Sequence, residues 1–407
     1  MKTILASAYA INPYKGSEDG MGWNFIYQIA RFNKVIAITR ENNKVHIEKF
    51  MNEKPDELYE NITFLYFDLP YLLRFWKRGP LTAMFYFYLW QRMLPGFVKR
   101  KKVHFDIVHN VNFHNDWTPS HLWKLKKPFV WGPVGHHPLI PLDYLRAYET
   151  SYFFKDRLTW LIKKLFWNLS GDLKRTSKHA DHVFCMNKSV PQLLQLKRNK
   201  YSITPSVATE DFGFDPGNKS SKFTLISAGR LVPLKGFDMT ILSFSKFLEQ
   251  RTLSEREKCE LIIVGSGPEL MTLQNIVKEL HIEKYVTFIK WMNRNDLMNL
   301  FRRASVFVFP SHEGAGMVVA EALSFGLPIV CLDNCGPGEF IDKSCGIGVS
   351  YNNYNQTIHE LNLAITKLYT TPDLLGKMSL NARKHFETHF NWNVRGNEFQ
   401  KIYSNLN

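Results

Sequence analysis

Short apolar runs separated by longer amphipathic stretches fill the first half of the chain. The runs at 2–8, 35–39, 62–67, 107–110, 129–132 and 182–186 are apolar, several are rich in β-branched residues, and all read as buried strands. Helical patterns such as 22–31 lie between them, and this alternation predicts βα units on a parallel sheet. The rhythm breaks over 201–220, where Asp215-Pro216-Gly217-Asn218 and its polar neighbours predict an interdomain linker. It then restarts, with strands at 223–228, 260–264, 286–289, 306–310 and 328–332. Helices are expected at 235–250, 268–280, 293–304 and 317–325, and closing helices at 355–369 and 372–386. The expectation is an α/β chain of two Rossmann-like, doubly wound domains, 1–205 and 206–386, with a helix at 387–407 packing back on the first. Such sheets bind ligands beyond the carboxyl ends of their strands, so two of them facing each other make a central cleft.

Composition narrows the class. The 407 residues fit two or three domains, and 45% apolar with 22% charged residues excludes a mainly disordered or collagen-like chain. Lys and Arg outnumber Asp and Glu 52 to 37, a formal charge of +15 that suits an anionic partner: nucleic acid, a lipid surface or a phosphorylated substrate. Cys185, Cys259, Cys331, Cys335 and Cys345 include no C-x-x-C pair, which points to a reducing compartment and not to a disulfide framework. The apolar start at 1–10 is short for a signal peptide and reads as the first strand, ended by the loop 12–16. No run approaches the 18 or more apolar residues of a membrane span.

Two segments carry chemistry. In Gly229-Arg230-Leu231-Val232-Pro233-Leu234-Lys235-Gly236 a strand ends, the backbone turns, and two cations five residues apart precede a helix. Cations beside a helix N-terminus suit a diphosphate; the alternative is two solvated loop cations. In Pro310-Ser311-His312-Glu313-Gly314-Ala315-Gly316-Met317 a second strand ends in a glycine-containing turn, and Glu321 follows inside an apolar helix. The amides of Gly314, Ala315, Gly316 and Met317 suit an anion and Glu313 suits sugar hydroxyls. The alternative is a capping Glu313 and a structural, salt-bridged Glu321.

At this spacing the motifs resemble the retaining glycosyltransferases of family 4, which have the GT-B fold. The likeness extends to Gly265-Ser266-Gly267-Pro268, to the strand 286–289 with Lys290-Trp291, and to Asn334-Cys335-Gly336-Pro337-Gly338-Glu339. Ala315 replaces a common Phe and Lys290 a common Gly. The resemblance implies that Gly229, Arg230, Lys235, Gly265, Trp291, Glu313, the amides of Gly314 to Met317, and Glu321 bind the donor. Arg230 and Lys235 then neutralise the diphosphate of a UDP- or GDP-linked sugar, Glu321 takes the ribose hydroxyls, and Glu313 holds the donor sugar. Charge developing on the leaving phosphate meets fixed cations and amides, so a dedicated metal or other cofactor is unnecessary. In the first domain Gly16-Ser17-Glu18 resembles a glycine-rich loop facing donor phosphates (Gly16) and acceptor (Ser17, Glu18). The resemblance also implies a catalytic histidine after the strand 129–132; His136 fits first and His114, an acceptor contact, second. Each has the ordinary reading of a hydrogen-bonded structural histidine, and His136-His137 also has the look of a metal pair. The expected catalytic set is Glu313, His136, Arg230 and Lys235.

Aromatic residues crowd 69–102 beside Arg74, Lys77, Arg78 and the cluster at 99–102, and again at 152–167. Such mixtures suit an anionic membrane interface; the alternative is a core helix with a basic flank. The function expected is transfer of a sugar, with retention, from a nucleotide sugar to a lipid-linked glycan acceptor in cell-surface polysaccharide or lipopolysaccharide synthesis. It would run peripherally at the inner face of the cytoplasmic membrane, with no nucleic-acid partner. The rival readings are a sugar-nucleotide epimerase or hydrolase and a non-catalytic membrane- or nucleic-acid-binding protein.

Overall fold

The computed structural model describes residues 1–407 except Trp76, Arg78, Phe113, His114, Ala147, Ser206, Asn218, Trp291 and Asn407; of Pro80 and Leu81 it describes the backbone. The chain divides into two units: Met1–His136, Thr159–Ser206 and Trp392–Asn407 form the first, His137–Leu158 and Val207–Asn391 the second.

The first unit is a seven-stranded parallel sheet of order β3-β2-β1-β4-β5-β6-β7. Its strands are β1 (Thr3–Ala8), β2 (Lys34–Thr39), β3 (Ile62–Tyr66), β4 (Ile107–Asn112), β5 (Phe129–Val134), β6 (His182–Cys185) and β7 (Tyr201–Ile203). Ile4 stands between Val35 and Ile107, and each is buried, as strands covered on both faces require. The second unit is a six-stranded parallel sheet of order β10-β9-β8-β11-β12-β13. Its strands are β8 (Phe223–Ala228), β9 (Cys259–Val264), β10 (Val286–Ile289), β11 (Val306–Phe309), β12 (Ile329–Leu332) and β13 (Gly346–Val349). Leu225 stands between Leu261 and Val306.

Two strands escape the expected pattern. β7 falls in the segment read as linker, yet Tyr201 pairs with Val183 at the sheet edge. Three residues before Thr204-Pro205 are too few to show alternation. β13 reads Gly-Ile-Gly-Val; Gly346 pairs with Ile329, where a Cβ would stand 2.5 Å from the Ile329 carbonyl oxygen. The helix expected from residue 22 starts at Ser17 and runs to Ala30. Its two internal glycines disguise it, because glycine costs a helix about 1 kcal/mol. Gly22 is there for space: a Cβ would meet the Ala10 carbonyl oxygen at 2.0 Å.

The unit boundaries depart from the expected 1–205, 206–386 and 387–407 in an inserted segment and at the C-terminal junction, which falls after Asn391. His137–Leu158 belongs with the second unit, because Ile140, Tyr144 and Leu145 are buried in its core. Tyr148 and Tyr354 each donate a hydroxyl to the buried carboxylate of Asp238, at 2.8 and 2.6 Å. At the far end the helix Pro372–His389 runs beyond its expected stop, and Trp392–Asn405 packs in the first unit, with Phe25 against Trp392 and Phe399.

The aromatic run at 81–90 lies inside a helix, Pro80–Lys101, whose Tyr86, Phe87, Trp90 and Leu94 are buried in the first unit. Trp90 donates its indole N–H to the Phe67 carbonyl at 2.8 Å. Lys77 lies 4.5 Å from the Tyr86 ring centroid and Arg74 pairs with Glu41. The exposed cluster at 99–102 sits at the other end of this 22-residue helix, about 33 Å from its start. The segment expected as an aromatic-basic patch over 69–102 is thus divided: Tyr86, Phe87 and Trp90 are core, while Phe85, Met93 and the cluster at 99–102 are exposed. Ahead of the helix Tyr71, Leu72, Leu73 and Phe75 are exposed. The helix Thr150–Leu169 behaves oppositely. It turns Trp160, Phe166 and Trp167 partly inward and leaves Phe154, Leu158, Leu161, Leu165 and Leu169 exposed along one face. Among the described residues, no helix is long and apolar enough to cross a membrane.

Candidate functional site

Both sheets reverse their winding once: between β1 and β4 in the first unit, and between β8 and β11 in the second. A doubly wound sheet leaves a crevice at such a switch point, outside the carboxyl ends of the two strands. In the second unit the loop after β8 carries Gly229, Arg230 and Lys235, and the loop after β11 carries Glu313 to Gly316. The two segments singled out from the sequence thus meet at the crevice.

Lys235 Nζ lies 2.6 Å from Glu313 Oε2, with the two side chains 13% and 21% exposed, and 4.9 Å from the Phe309 ring centroid. Arg230 is exposed. Backbone contacts fix the loops that hold these groups. The His312 amide donates to Leu234 O at 2.9 Å, joining the second loop to the first, and Asn334 donates its side-chain amide to Ser311 O at 2.7 Å. The turn at Gly336 packs on the Glu313 carbonyl so closely that only glycine fits. Gly265, with φ of +153°, lets the loop after β9 lie on Gly229; a Cβ there would stand 1.9 Å from the Gly229 oxygen. The helix Met317–Ser324 begins at this loop, and its first-turn N–H groups have no acceptor within the helix. Gly316, Ala315 and Met317 therefore frame an anion-favouring end between a cation pair and an acid.

Glu321 lies one turn into that helix, its side chain 12% exposed. Burial pushes its pKa up, the Arg294 guanidinium opposes this, and Glu210 adds to the rise. Arg294 NH2 is 3.0 Å from Glu321 Oε1. The salt-bridged alternative for Glu321 is thus realised, by a residue that spacing did not single out. Nothing within the helix pattern at 293–304 could have marked Arg294, because its partner is on another element.

The histidines separate. His136 Nδ1 is 2.7 Å from Asp116 Oδ2 in the first unit, beside Trp167. His137 belongs to the second unit, and its Nδ1 accepts the Gly314 amide at 3.0 Å. The loop after β11 is therefore met by His137, one position after the histidine singled out from sequence. The Nδ1 atoms of the two rings thus serve different partners, Asp116 and the Gly314 amide. Tyr152, from the same His137–Leu158 segment, lies within electrostatic range of Arg230 and Glu313; burial raises its pKa to about 12. His114 and Trp291, expected acceptor and donor contacts, lie outside the described residues.

The first unit's switch point is furnished differently. Gly16 precedes the helix Ser17–Ala30 in extended backbone, and nothing stands within 4 Å of where its Cβ would be. Ser17 has a φ of +56° and Glu18 and Asp19 occupy the first helical turn. The loop's cation is Lys15, which is exposed.

This geometry defines the chain as a GT-B protein: two Rossmann-like α/β units, one with a cation-acid site at its switch point. Solved structures share the fold over the whole length. The glycosyltransferase WaaG, involved in lipopolysaccharide biosynthesis, aligns with a TM-score of 0.62 at 16% identity over 98% of this chain and 99% of its own. Anabaena HepE in complex with UDP aligns with a TM-score of 0.64 at 13% identity over 100% of both. Residues 209–385 match the family model described as glycosyl transferases group 1. An uncharacterized glycosyltransferase of Haemophilus influenzae is 35% identical over 175 residues, 41% of this chain and 46% of its own. A GDP-mannose-dependent alpha-(1-6)-phosphatidylinositol monomannoside mannosyltransferase of Mycolicibacterium smegmatis is 26% identical over 50% of this chain and 55% of its own. The chain thus spans about half the length of the curated relatives it matches.

Proposed function

We propose that the chain is a glycosyltransferase that moves a sugar from a nucleoside-diphosphate sugar, UDP- or GDP-linked, to a hydroxyl of a glycan acceptor, with retention at the anomeric carbon. The observation that carries this is the Lys235–Glu313 pair at the switch point of the second unit, beside the N-terminus of the helix Met317–Ser324. The family match over 209–385 and the UDP-bound HepE structure support the donor class.

In this reading the bond between the anomeric carbon and the β-phosphate oxygen breaks, and the acceptor oxygen bonds to the same carbon. The acceptor proton leaves to the departing phosphate. Negative charge grows on that phosphate, where Arg230, Lys235 and the helix amides stand ready without reorganisation. The Lys235 ammonium has three donors, so it can keep Glu313 and reach the diphosphate together. Glu313 then takes hydroxyls of the donor sugar, and His137, on the Gly314 amide, borders the same loop. No resident metal or cofactor enters this scheme, because the cations and amides already supply the neutralising charge.

The acceptor in this reading is lipid-linked, and the first unit with Ser17 and Glu18 receives it. The exposed face of Phe154, Leu158, Leu161, Leu165 and Leu169, with Lys155 and Lys164 also exposed on the same helix, supports peripheral contact with an anionic membrane at its cytoplasmic side.

Thermal stabilisation by UDP, GDP, ADP and CMP tests the donor site. One preferred nucleotide at about a hundred times its dissociation constant adds about 2.7 kcal/mol, and Arg230→Ala/Lys235→Ala abolishes the shift. Stabilisation by none of the four overturns the reading. Turnover of the donor sugar without any acceptor would favour an epimerase or hydrolase instead.

A further inference from the structure

We propose that Arg294 is a positioning residue for the donor nucleotide: it holds the Glu321 carboxylate as an oriented double acceptor for the ribose hydroxyls. This rests on the donor-site reading above and adds to it the residue on which ribose recognition depends.

Arg294 opens the helix Arg294–Arg303, directly after the cap Asn293, whose side chain accepts the Asp296 amide. Its guanidinium is fixed by three contacts of different kinds. NH2 lies 3.0 Å from Glu321 Oε1 and 3.2 Å from Thr209 Oγ1, and the group sits 5.3 Å from the Phe212 ring centroid. Thr209 is itself immobile: it is 1% exposed, and its amide donates to Phe390 O at 2.8 Å. A planar fork held in this way keeps one carboxylate oxygen in place and leaves the other turned to a ligand.

The charge balance makes the arrangement consequential. Glu321 is largely buried with Glu210 nearby, and both burial and that neighbour favour its protonated form; Arg294 is the group that opposes them. A ribose presents two hydroxyl donors on adjacent carbons. An ionised carboxylate accepts both, whereas a carboxylic acid gives up acceptor capacity to its own proton. Without Arg294 the site would therefore still hold a nucleotide by its diphosphate but would cease to read the ribose.

The experiment compares UDP and GDP with their 2′-deoxy analogues by calorimetry, on the wild type and on Arg294→Met, Arg294→Lys, Glu321→Gln and Thr209→Val. The wild type should prefer ribose by about 10-fold or more, the worth of one charge-assisted hydrogen bond. Arg294→Met should bring that ratio close to one and raise the donor KM about tenfold while kcat changes by less than about threefold. Its affinity should also weaken with falling pH at a higher pH than in the wild type, because Glu321 has lost the cation that opposes its protonation. Arg294→Lys should recover part of the preference, and Thr209→Val, which frees the guanidinium without changing charge, should lose part of it. An Arg294→Met protein that melts lower yet keeps its ribose preference overturns the inference, and so does a preference untouched in Glu321→Gln. If Arg294→Met does not fold, an unchanged preference in Thr209→Val overturns it. A wild type that binds no nucleotide refutes the donor-site reading itself, which separates the two failures.

Discussion

The two sheets run the same course and are used differently. Each winds outward from a central strand, returns, and leaves one crevice at the reversal, β1/β4 in the first unit and β8/β11 in the second. At β8/β11 the loops bring a partly buried ion pair, an exposed arginine and a helix N-terminus together. At β1/β4 the loop holds open space at Gly16 and acids in the first helical turn. A shared topology thus sets where a ligand is met, and the side chains on two loops decide which ligand. In the proposed reading the diphosphate takes the second crevice and the acceptor the first, whose loop has a single exposed cation, Lys15, beside its acids.

The largest effect should come from stripping charge from the second crevice. Each electrostatic stabiliser of this kind is worth about 10²–10³ in rate, so Arg230→Ala/Lys235→Ala should lower kcat/KM by about 10⁴-fold. Ser17→Ala at the matching turn of the first unit should cost less than about tenfold, since a hydroxyl contact is worth about 1 kcal/mol. Steady-state kinetics on both variants decide it; equal losses would dissolve the contrast between the crevices.

Acid should separate the units next. In the first unit burial lowers the pKa of His109 to about 3, and of His121 and His182 to about 4. These rings stay neutral in the folded state while the unfolded chain takes up protons near pH 6.5. Their stabilisation is therefore complete above that pH and is lost as pH falls towards 4. At pH 5.5 each costs at most about 1.4 kcal/mol, or about 4 kcal/mol for the three. The second unit has His312, lowered to about 4, and His385, also lowered by burial. Against these stand Asp238 and Glu321, whose carboxyl pKa values burial raises, so that acid favours their folded form. Hydrogen exchange at pH 7 and 5.5 should show the first unit loosening more; equal loosening would refute the difference.

Glycine substitutions sharpen the view of the first crevice. Gly22→Ala forces a methyl against the Ala10 carbonyl and should destabilise by about 3 kcal/mol, a fall of about 6–12 °C in melting temperature. Gly16→Ala has room and an ordinary φ of −85°, so its melting point should move by no more than about 2 °C. A Gly16→Ala protein that melts normally but turns over slowly would mark the open space as the approach of a substrate.

Legibility followed the range of the interactions. Strands buried on both faces, such as β1, β4, β8 and β11, announce themselves because local apolar runs and long-range burial agree. β7 and β13 do not, being short, and one is glycine-rich; only their neighbours make them strands. Arg230, Lys235 and Glu313 stand out because each lies where a strand ends and a helix starts. The Arg294–Glu321 pair and the His137–Gly314 contact were hidden, since they join positions 27 and 177 residues apart in sequence. The aromatic run at 81–90 shows the same limit: composition does not tell that Phe87 and Trp90 pack against Tyr9 and Phe67 in the core while Phe85 stays exposed.

The smallest effect concerns the surface of the helix Thr150–Leu169. Leu161 and Leu165 are 54% and 49% exposed, so replacing both with serine should barely change stability, because the water contact already exists in the folded state. If the face meets a bilayer, each leucine gains about 1 kcal/mol there, half of what full burial gives, and the double variant should bind vesicles about 30-fold more weakly. The same substitution at Tyr86 and Trp90 would unfold the first unit, since those rings are its core. Cosedimentation with phosphatidylglycerol-containing vesicles reads the difference. Binding unchanged in Leu161→Ser/Leu165→Ser would move the membrane contact elsewhere, to Tyr71, Leu72 and Phe75, whose own triple serine variant then becomes the decisive measurement. Loss of binding with intact donor turnover in solution would instead tie the exposed leucines to acceptor delivery and leave the crevice at β8/β11 as the site of the chemistry.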